Sequence, residues 1–329
     1  MTPIASPKMI KQPLPTIYPL IDTHTHFDAP IFDDDREILT QQAHNQGVRH
    51  LVLVGYLYQH FERMYETERL LNTLSLPTTA NVDRQKVSNF SSHIAIGLHP
   101  FYIKQHTDDH LTAMAKRIAD KRPLAIGEIG LDTFTESMKA PDIFAKQVRF
   151  FKAQLDMAVT HQLPVMLHIR KAHAEALAIL KAHDYDAHKL GGIAHSFSGG
   201  TQEAKAFVKL GFKLGVTGQI TNPNAKKLRR AIQAAVDSYG VECLVIETDC
   251  PDMTPIMCQI SDHDSSVPTQ NSDSARRSTA VHNRNVPANL PWVLLSLSEL
   301  LNVPPASLAK QLWHNSCSAL QTKWDYPLS

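Results

Sequence analysis

The sequence predicts an α/β fold closed as a (β/α)8 barrel, and three observations carry that expectation. Eight short apolar runs alternate with segments of helical periodicity, and such alternation implies parallel strands joined by right-handed helical crossovers. Eight units in 329 residues fit the roughly 250 residues typical of the barrel, with some insertions. The first strand–helix junction lacks Gly-x-Gly-x-x-Gly, so the runner-up, an open doubly wound sheet, has no dinucleotide site there.

Taken in order, Ile17, Tyr18, Leu20 and Ile21 lead into the first strand, which ends on Thr23-His24-Thr25-His26. Asp33, Asp34 and Asp35 supply negative charge at the start of a helix that Gly47 ends. His50–Gly55 is a continuous apolar run, as expected of a strand buried on both faces. A helix over Gln59–Leu74 follows, then a polar stretch at 76–92 without period, read as an inserted loop. Strands at Ile94–Pro100, Leu124–Glu128, Pro164–His168, Gly192–His195, Lys213–Val216 and Val241–Glu247 alternate with helices at Asp108–Lys121, Asp142–His161, Ala172–His183, Gln202–Leu210 and Asn224–Tyr239. The helix at Asp142–His161 carries the clearest stripe, with Phe144, Val148, Phe151, Leu155 and Ala158 three or four residues apart. Helices at Ala288–Leu301 and Ala306–Leu320 finish the chain.

Residues 1–16, punctuated by prolines, read as a loosely held arm before a single domain over 17–329. The polar segment at 254–283 reads as a lid, a binding loop or a disordered insert, and a lid is the expectation because it follows the last strand at the catalytic face. With 43% hydrophobic and 20% charged residues, a large core can be buried. A net charge of +1 gives no global field to attract long duplex nucleic acid. Four cysteines form no Cys-x-x-Cys pair, which fits free thiols in a reducing compartment. No apolar run reaches the roughly 20 residues of a membrane span, so the expectation is a cytoplasmic monomer with no obligate protein partner.

The ligand-type residues collect at strand ends. His24 and His26 share one face of an extended strand. Glu128, His168 and His195 end strands four, five and six, and Asp249 follows strand eight. In a parallel barrel these ends lie on one face, where active sites sit. Six nitrogen and oxygen donors exceed the needs of one tetrahedral ion and point to two: His24, His26 and Asp249 on one, His168 and His195 on the other, with Glu128 bridging. Imidazole with carboxylate suits Zn, Mn, Fe, Co or Ni, and Mg where a phosphate adds oxygens. Asp249 is the expected base that orients and deprotonates a water, with Glu128 assisting. Arg170, two residues beyond His168, and His99, at the end of strand three, are candidate phosphate-binding residues; rim salt bridging and simple hydrogen bonding are the alternatives. Asp132 reads as a supporting carboxylate and Cys250 as a packing residue.

The stretches Asp22–Asp28, Gly97–Pro100, Gly127–Asp132, Leu167–Arg170, His195–Gly199 and Glu247–Pro251 resemble, in order, the motifs of TatD-type metal-dependent deoxyribonucleases, and Gly218–Thr221 with Pro251–Met253 resembles the YjjV-like subgroup. The resemblance runs from Asp22 to the C-terminus. It implies a TIM barrel of the metallo-dependent hydrolase type whose six metal positions are those above, and cleavage of DNA phosphodiesters from a 3′ end, with DNA ends or single-stranded DNA as substrate. Thr133-Phe134 stands where a tyrosine pair is common and Cys250 where alanine is usual, which bears on substrate preference. The rival expectations are an amidohydrolase-like enzyme acting on a small amide, lactone or phosphoester, and a barrel whose metal is only structural.

Overall fold

A computed structural model of the chain describes residues 16–76, 90–259 and 283–327. The eight expected strands are present and pair in parallel in sequence order: β1 (Leu20–Thr25), β2 (Val48–Val54), β3 (Ser91–Ile96), β4 (Ala125–Asp132), β5 (Val165–Arg170), β6 (Ile193–Ala194), β7 (Lys213–Val216) and β8 (Leu244–Ile246). The ring closes where β8 runs out beside β1. There the Asp249 N–H donates to the His24 carbonyl and the His26 N–H to the Cys250 carbonyl, each at 2.9 Å. The closing hydrogen bonds thus belong to the same residues that carry the candidate ligands.

Around the barrel lie α1 (Arg36–Asn45), α2 (Phe61–Thr73), α3 (Asp108–Asp120), α4 (Pro141–His161), α5 (His173–Ala182), the single turn α6 (Ala187–Leu190), α7 (Thr201–Lys209), α8 (Lys226–Tyr239), α9 (Leu290–Leu301) and α10 (Pro305–Ala319). Local chemistry sets their ends. Pro141 opens α4, where its fixed φ and missing N–H do no harm, and Gln162 stops it in a left-handed conformation at φ 51°.

Period-two alternation sorts the strand residues into two layers. Val52, Val54, Ala95, Ala125, Met166, Ile193 and Val245 fill the barrel interior. Leu51, Leu53, Ile94, Ile96, Ile126, Leu167, Leu214, Leu244 and Ile246 face the helices. Both faces are therefore buried, which is why the strands read as unbroken apolar runs rather than as alternating ones.

Several details depart from expectation. The Asp33–Asp35 run stands at the start of α1 as expected, with Asp35 at the N-cap position, but no side chain of it caps the helix, which starts at Arg36. Arginines take those carboxylates instead: Arg36 and Arg63 pair with Asp33, and the buried Arg284 pairs with Asp35. Strand β4 runs four residues past Glu128, because Ile129 and Leu131 are fully buried in the strand–helix layer. Glu128 is thus mid-strand. The loop expected over 76–92 gives way to β3 at Ser91. Residues 77–89, most of the 1–16 arm and 260–282 of the expected lid lie outside the described residues.

The far end of the barrel is stoppered by the C-terminal tail. Trp324 stacks on His50 at 4.1 Å and on His93 at 4.5 Å between ring centres, and its carbonyl accepts the Trp313 indole N–H at 2.8 Å. A 3.1 Å hydrogen bond joins His50 Nδ1 and His93 Nε2. Burial, then the neighbouring His93 and Arg49, push His50 down to about 3, and burial pushes His93 down to about 4. The unfolded chain takes up these protons near pH 6.5, whereas the folded one does so only well below it. The pair's contribution is therefore whole above about pH 6.5 and lost as pH falls towards 4. Thermal unfolding from pH 7 to 5 should show a shallower fall in Tm for a His50→Gln/His93→Gln variant than for the parent; equal slopes would remove the pair from the acid response.

Candidate metal centre

The centre is assembled by close approach of backbones. At Gly97 any Cβ would lie 2.5 Å from the Gly127 carbonyl carbon and 2.6 Å from the Glu128 nitrogen, so only glycine lets β3 and β4 meet beneath Glu128. At Gly215 a Cβ would come within 2.4–2.6 Å of the Glu247 carboxylate. Two other residues hold left-handed backbone beside the centre: Ser196 at φ 42° and Asp249 at φ 54°. Each such conformation costs on the order of 1–3 kcal/mol and persists only where its surroundings impose it.

Glu128, 1% exposed, stands in the middle of five imidazoles. Its two oxygens face different groups. Oε2 lies 3.4 Å from both His24 Nε2 and His26 Nε2. Oε1 lies 2.7 Å from His168 Nδ1, 3.2 Å from His99 Nε2 and 3.4 Å from His195 Nε2. Asp249 repeats the division: Oδ1 is 3.8 Å from His24 and 3.9 Å from His26, and Oδ2 is 3.6 Å from His195. His24 and His195 stack at 3.4 Å. Three donor groups fall within 4.8 Å: His24, His26 and Glu128; His24, His195 and Asp249; and His99, Glu128 and His168.

A second layer fixes which nitrogen of each ring is free. His26 Nδ1 faces the Val54 carbonyl at 3.0 Å and His168 Nε2 faces Asp132 Oδ2 at 3.0 Å. His195 Nδ1 is 3.0 Å from Glu247 Oε1. Each contact calls for the proton on the outer nitrogen and leaves the inner lone pair turned to the centre. His99 is the exception. Its Nδ1 accepts the Phe101 N–H at 2.9 Å, so in the neutral ring the proton sits on Nε2 and points at Glu128. His99 is thereby a donor to oxygen and an unsuitable metal ligand.

The electrostatics call for positive charge. Burial opposes protonation of His26 and His195, yet Glu128 and Asp249, joined at His195 by Glu247, raise them to about 9 and about 10. Burial and the neighbouring His195 lower His24 to about 3. Burial also disfavours the Glu128 charge, but His99, His195, His24 and a hydrogen bond to His168 outweigh it, and its carboxyl sits well below the ordinary range. Burial pushes Asp249 up to about 6 despite His195 and His26. Both ring nitrogens of His24 and the Glu128 Oε2 are buried with no hydrogen-bond partner. Such atoms cost about 1–3 kcal/mol each if nothing meets them, and divalent cations are what a nitrogen and oxygen donor set of this kind accommodates.

The structure therefore brings all six expected ligands to one place, and His99 beside them. Arg170 lies at the rim of the same cleft, a cavity of about 700 Å³ that also exposes Tyr56, Ser198 and Gln219. It forms no ion pair with a described residue; its guanidinium lies 3.5 Å from the centre of the Phe134 ring. Two carboxylates went unassigned from sequence. Glu247 is fully buried, accepts the Ser196 N–H at 2.5 Å and orients His195. Asp22, also fully buried, accepts the Thr248 N–H and hydroxyl at 2.9 and 2.5 Å and so ties β1 to the Asp249 segment. Both stand two residues before a candidate ligand, and that spacing is the available signal. Asp132 takes the supporting position expected of it, and Cys250 is packed against Thr25.

Comparison with known proteins gives a consistent picture. Residues 21–321 match the family described as TatD related DNase. The metal-dependent hydrolase YjjV of Escherichia coli is 34% identical over 236 residues, covering 71% of this chain and 80% of that one. The 3′-5′ ssDNA/RNA exonuclease TatD of Pantoea is 29% identical over 220 residues, covering 67% and 74%. The crystal structure of the E. coli YjjV protein superimposes with a TM-score of 0.71 at 29% identity, covering 92% of this chain and 98% of that one.

Replacing Glu247 by Gln should weaken divalent-ion binding about ten- to a hundred-fold, the usual effect of losing a carboxylate behind a ligating histidine, while the far-ultraviolet circular dichroism stays as in the parent. Calorimetric titration with Mn²⁺ reads this directly. Unchanged affinity would mean that His195 needs no such support.

Proposed function

This chain belongs to the TatD-related DNase family and is a metal-dependent hydrolase, and from that premise we propose that it hydrolyses phosphodiesters of single-stranded DNA, from the 3′ end, with two divalent ions. The observation that carries the two-ion reading is the division of Glu128: one oxygen faces His24 and His26, the other His168 and His195. Asp249 straddles the same two groups. The polarity and the single-stranded preference rest on the relative named as a 3′-5′ ssDNA/RNA exonuclease.

Divalent ions held by these six residues would supply Lewis acidity and a water acidified from about 15.7 towards about 7. Four carboxylates, Glu128, Asp249, Asp132 and Glu247, stand at or directly behind this donor set, so attraction of an anionic phosphodiester would rest on direct contact with the ions and with Arg170 rather than on a net positive centre. Asp249, 8% exposed and lining the cleft, orients the attacking water through Oδ and takes its proton. His99 lines the cleft with its Nε2 proton directed at Glu128 Oε1; if bound ions take up that oxygen, the same proton would be free for a phosphoryl oxygen. Arg170, unpaired by any described carboxylate and held flat by Phe134, presents its fork to the phosphate at the rim. Asp132, Glu247 and the Val54 carbonyl hold three of the rings in register during turnover.

A single-stranded oligonucleotide labelled at its 5′ end should be shortened stepwise by Mn²⁺-reconstituted protein and left intact by protein that elemental analysis finds metal-free. Arg170→Met should reduce kcat/KM roughly ten- to a hundred-fold, as for loss of a charge-assisted hydrogen bond, with metal content unchanged. Full cleavage by metal-free protein would falsify the proposal. An Arg170→Met variant as active as the parent would remove that residue from phosphate binding.

A further inference from the structure

Two exposed phenylalanines stand at this centre: Phe101 is 38% exposed and Phe134 50%. Neither belongs to the hydrophobic core or packs against it, so core stability does not account for an aromatic ring at either place. Both are nevertheless held firmly. The Phe101 N–H is bound by His99 Nδ1 at 2.9 Å, and the other nitrogen of that ring faces Glu128. The Phe134 N–H is bound by Asp132 Oδ1 at 2.8 Å, and the other oxygen of that carboxylate faces His168. Thr133 adds two more ties: its N–H to the Arg170 carbonyl at 2.9 Å and its hydroxyl to the Lys171 carbonyl at 2.8 Å. The backbone that carries each exposed ring is therefore tied through one buried side chain to the candidate metal centre itself.

Rigid, exposed aromatic rings beside a phosphate-binding cation are the elements of a stacking site for unpaired bases. Phe101 lines the cleft and meets Tyr102 edge to face at 5.4 Å; Tyr102 in turn lies 5.6 Å from Tyr56, also in the cleft. Phe134 carries the Arg170 guanidinium on one face of its ring, so a base stacking on the other face would extend an existing cation–aromatic stack. We propose that Phe101 and Phe134 are nucleobase-stacking platforms that place the two bases flanking the scissile phosphate. Unpaired bases are then part of the recognised substrate, and duplexes and base-free phosphodiesters are poor ones. This inference rests on the phosphodiesterase reading above and adds to it what the site recognises besides phosphate.

The test compares Mn²⁺-loaded parent, Phe101→Leu and Phe134→Leu on a single-stranded oligonucleotide and on the same oligonucleotide with abasic residues at its 3′ end. Each substitution should raise KM on the base-bearing strand roughly five- to a hundred-fold, the range for loss of one base–aromatic stack. The abasic strand, which removes both stacked bases, should cost the parent about as much as the two substitutions together, and on that strand neither substitution should cost anything further, as expected when substitution and base removal delete the same contact. Binding of a cleavage-resistant phosphorothioate strand carrying 2-aminopurine near its 3′ end gives a second readout: the parent should quench its emission, and Phe134→Leu should quench it less. Melting curves establish that both variants are folded. If the parent cleaves the strand but the variants match it, or the losses add, the platforms are wrong and the phosphodiesterase reading stands. If the loaded parent cleaves no oligonucleotide, that reading fails and takes this inference with it.

Discussion

The carboxylate of Glu128 is buried among five imidazoles with one oxygen turned to each side of the group, and the remainder of the architecture can be traced from that arrangement. A charge so far from water is tolerated only when cations and hydrogen-bond donors surround it. Here His24 comes from β1 and His26 from the residue after its end, His168 from β5 and His195 from the residue after β6. The barrel must close for these segments to meet. Closure itself runs through the Asp249 and His26 backbone, so fold and centre depend on the same few hydrogen bonds.

What the centre demands then spreads outward. His168 needs Asp132 behind it, His195 needs Glu247, and His26 needs the Val54 carbonyl. Two of the groups in this layer also serve the loops: Asp132 pins Phe134 and His99 pins Phe101. A cleft rim coupled so tightly to the ligand layer has little freedom to adjust independently of it. This is the preorganisation that a hydrolase requires if its water, base and phosphate-binding groups are to be in place before the reaction begins.

Much of this was legible in the sequence because the barrel converts strand ends into a shared surface. Once eight apolar runs are recognised, His24, His26, Glu128, His168, His195 and Asp249 converge by topology alone. Features that depend on three-dimensional partners were not legible. The acidic run at Asp33–Asp35 reads as a helix start, yet its carboxylates are taken by Arg36, Arg63 and Arg284, the last some 249 positions away from Asp35 in sequence. Polarity usually marks a strand end and so sets the end of β4 at Glu128 in the sequence, whereas Ile129 and Leu131 carry the strand further. Glu247 closes an apolar run and gives no sign, within its own stretch, that His195 lies 3.0 Å away. His99 is set apart from the ligands in the sequence, but its tautomer follows only from the Phe101 N–H on its Nδ1, a local cap before Pro100.

The central claim is that Glu128 joins two ions in one centre. Electron paramagnetic resonance of protein titrated with Mn²⁺ tests it most directly. Two ions per chain sharing one carboxylate should give an exchange-coupled signal at saturation, and Glu128→Gln should abolish the coupling. A single uncoupled six-line spectrum at every Mn²⁺ loading of the parent would contradict the account.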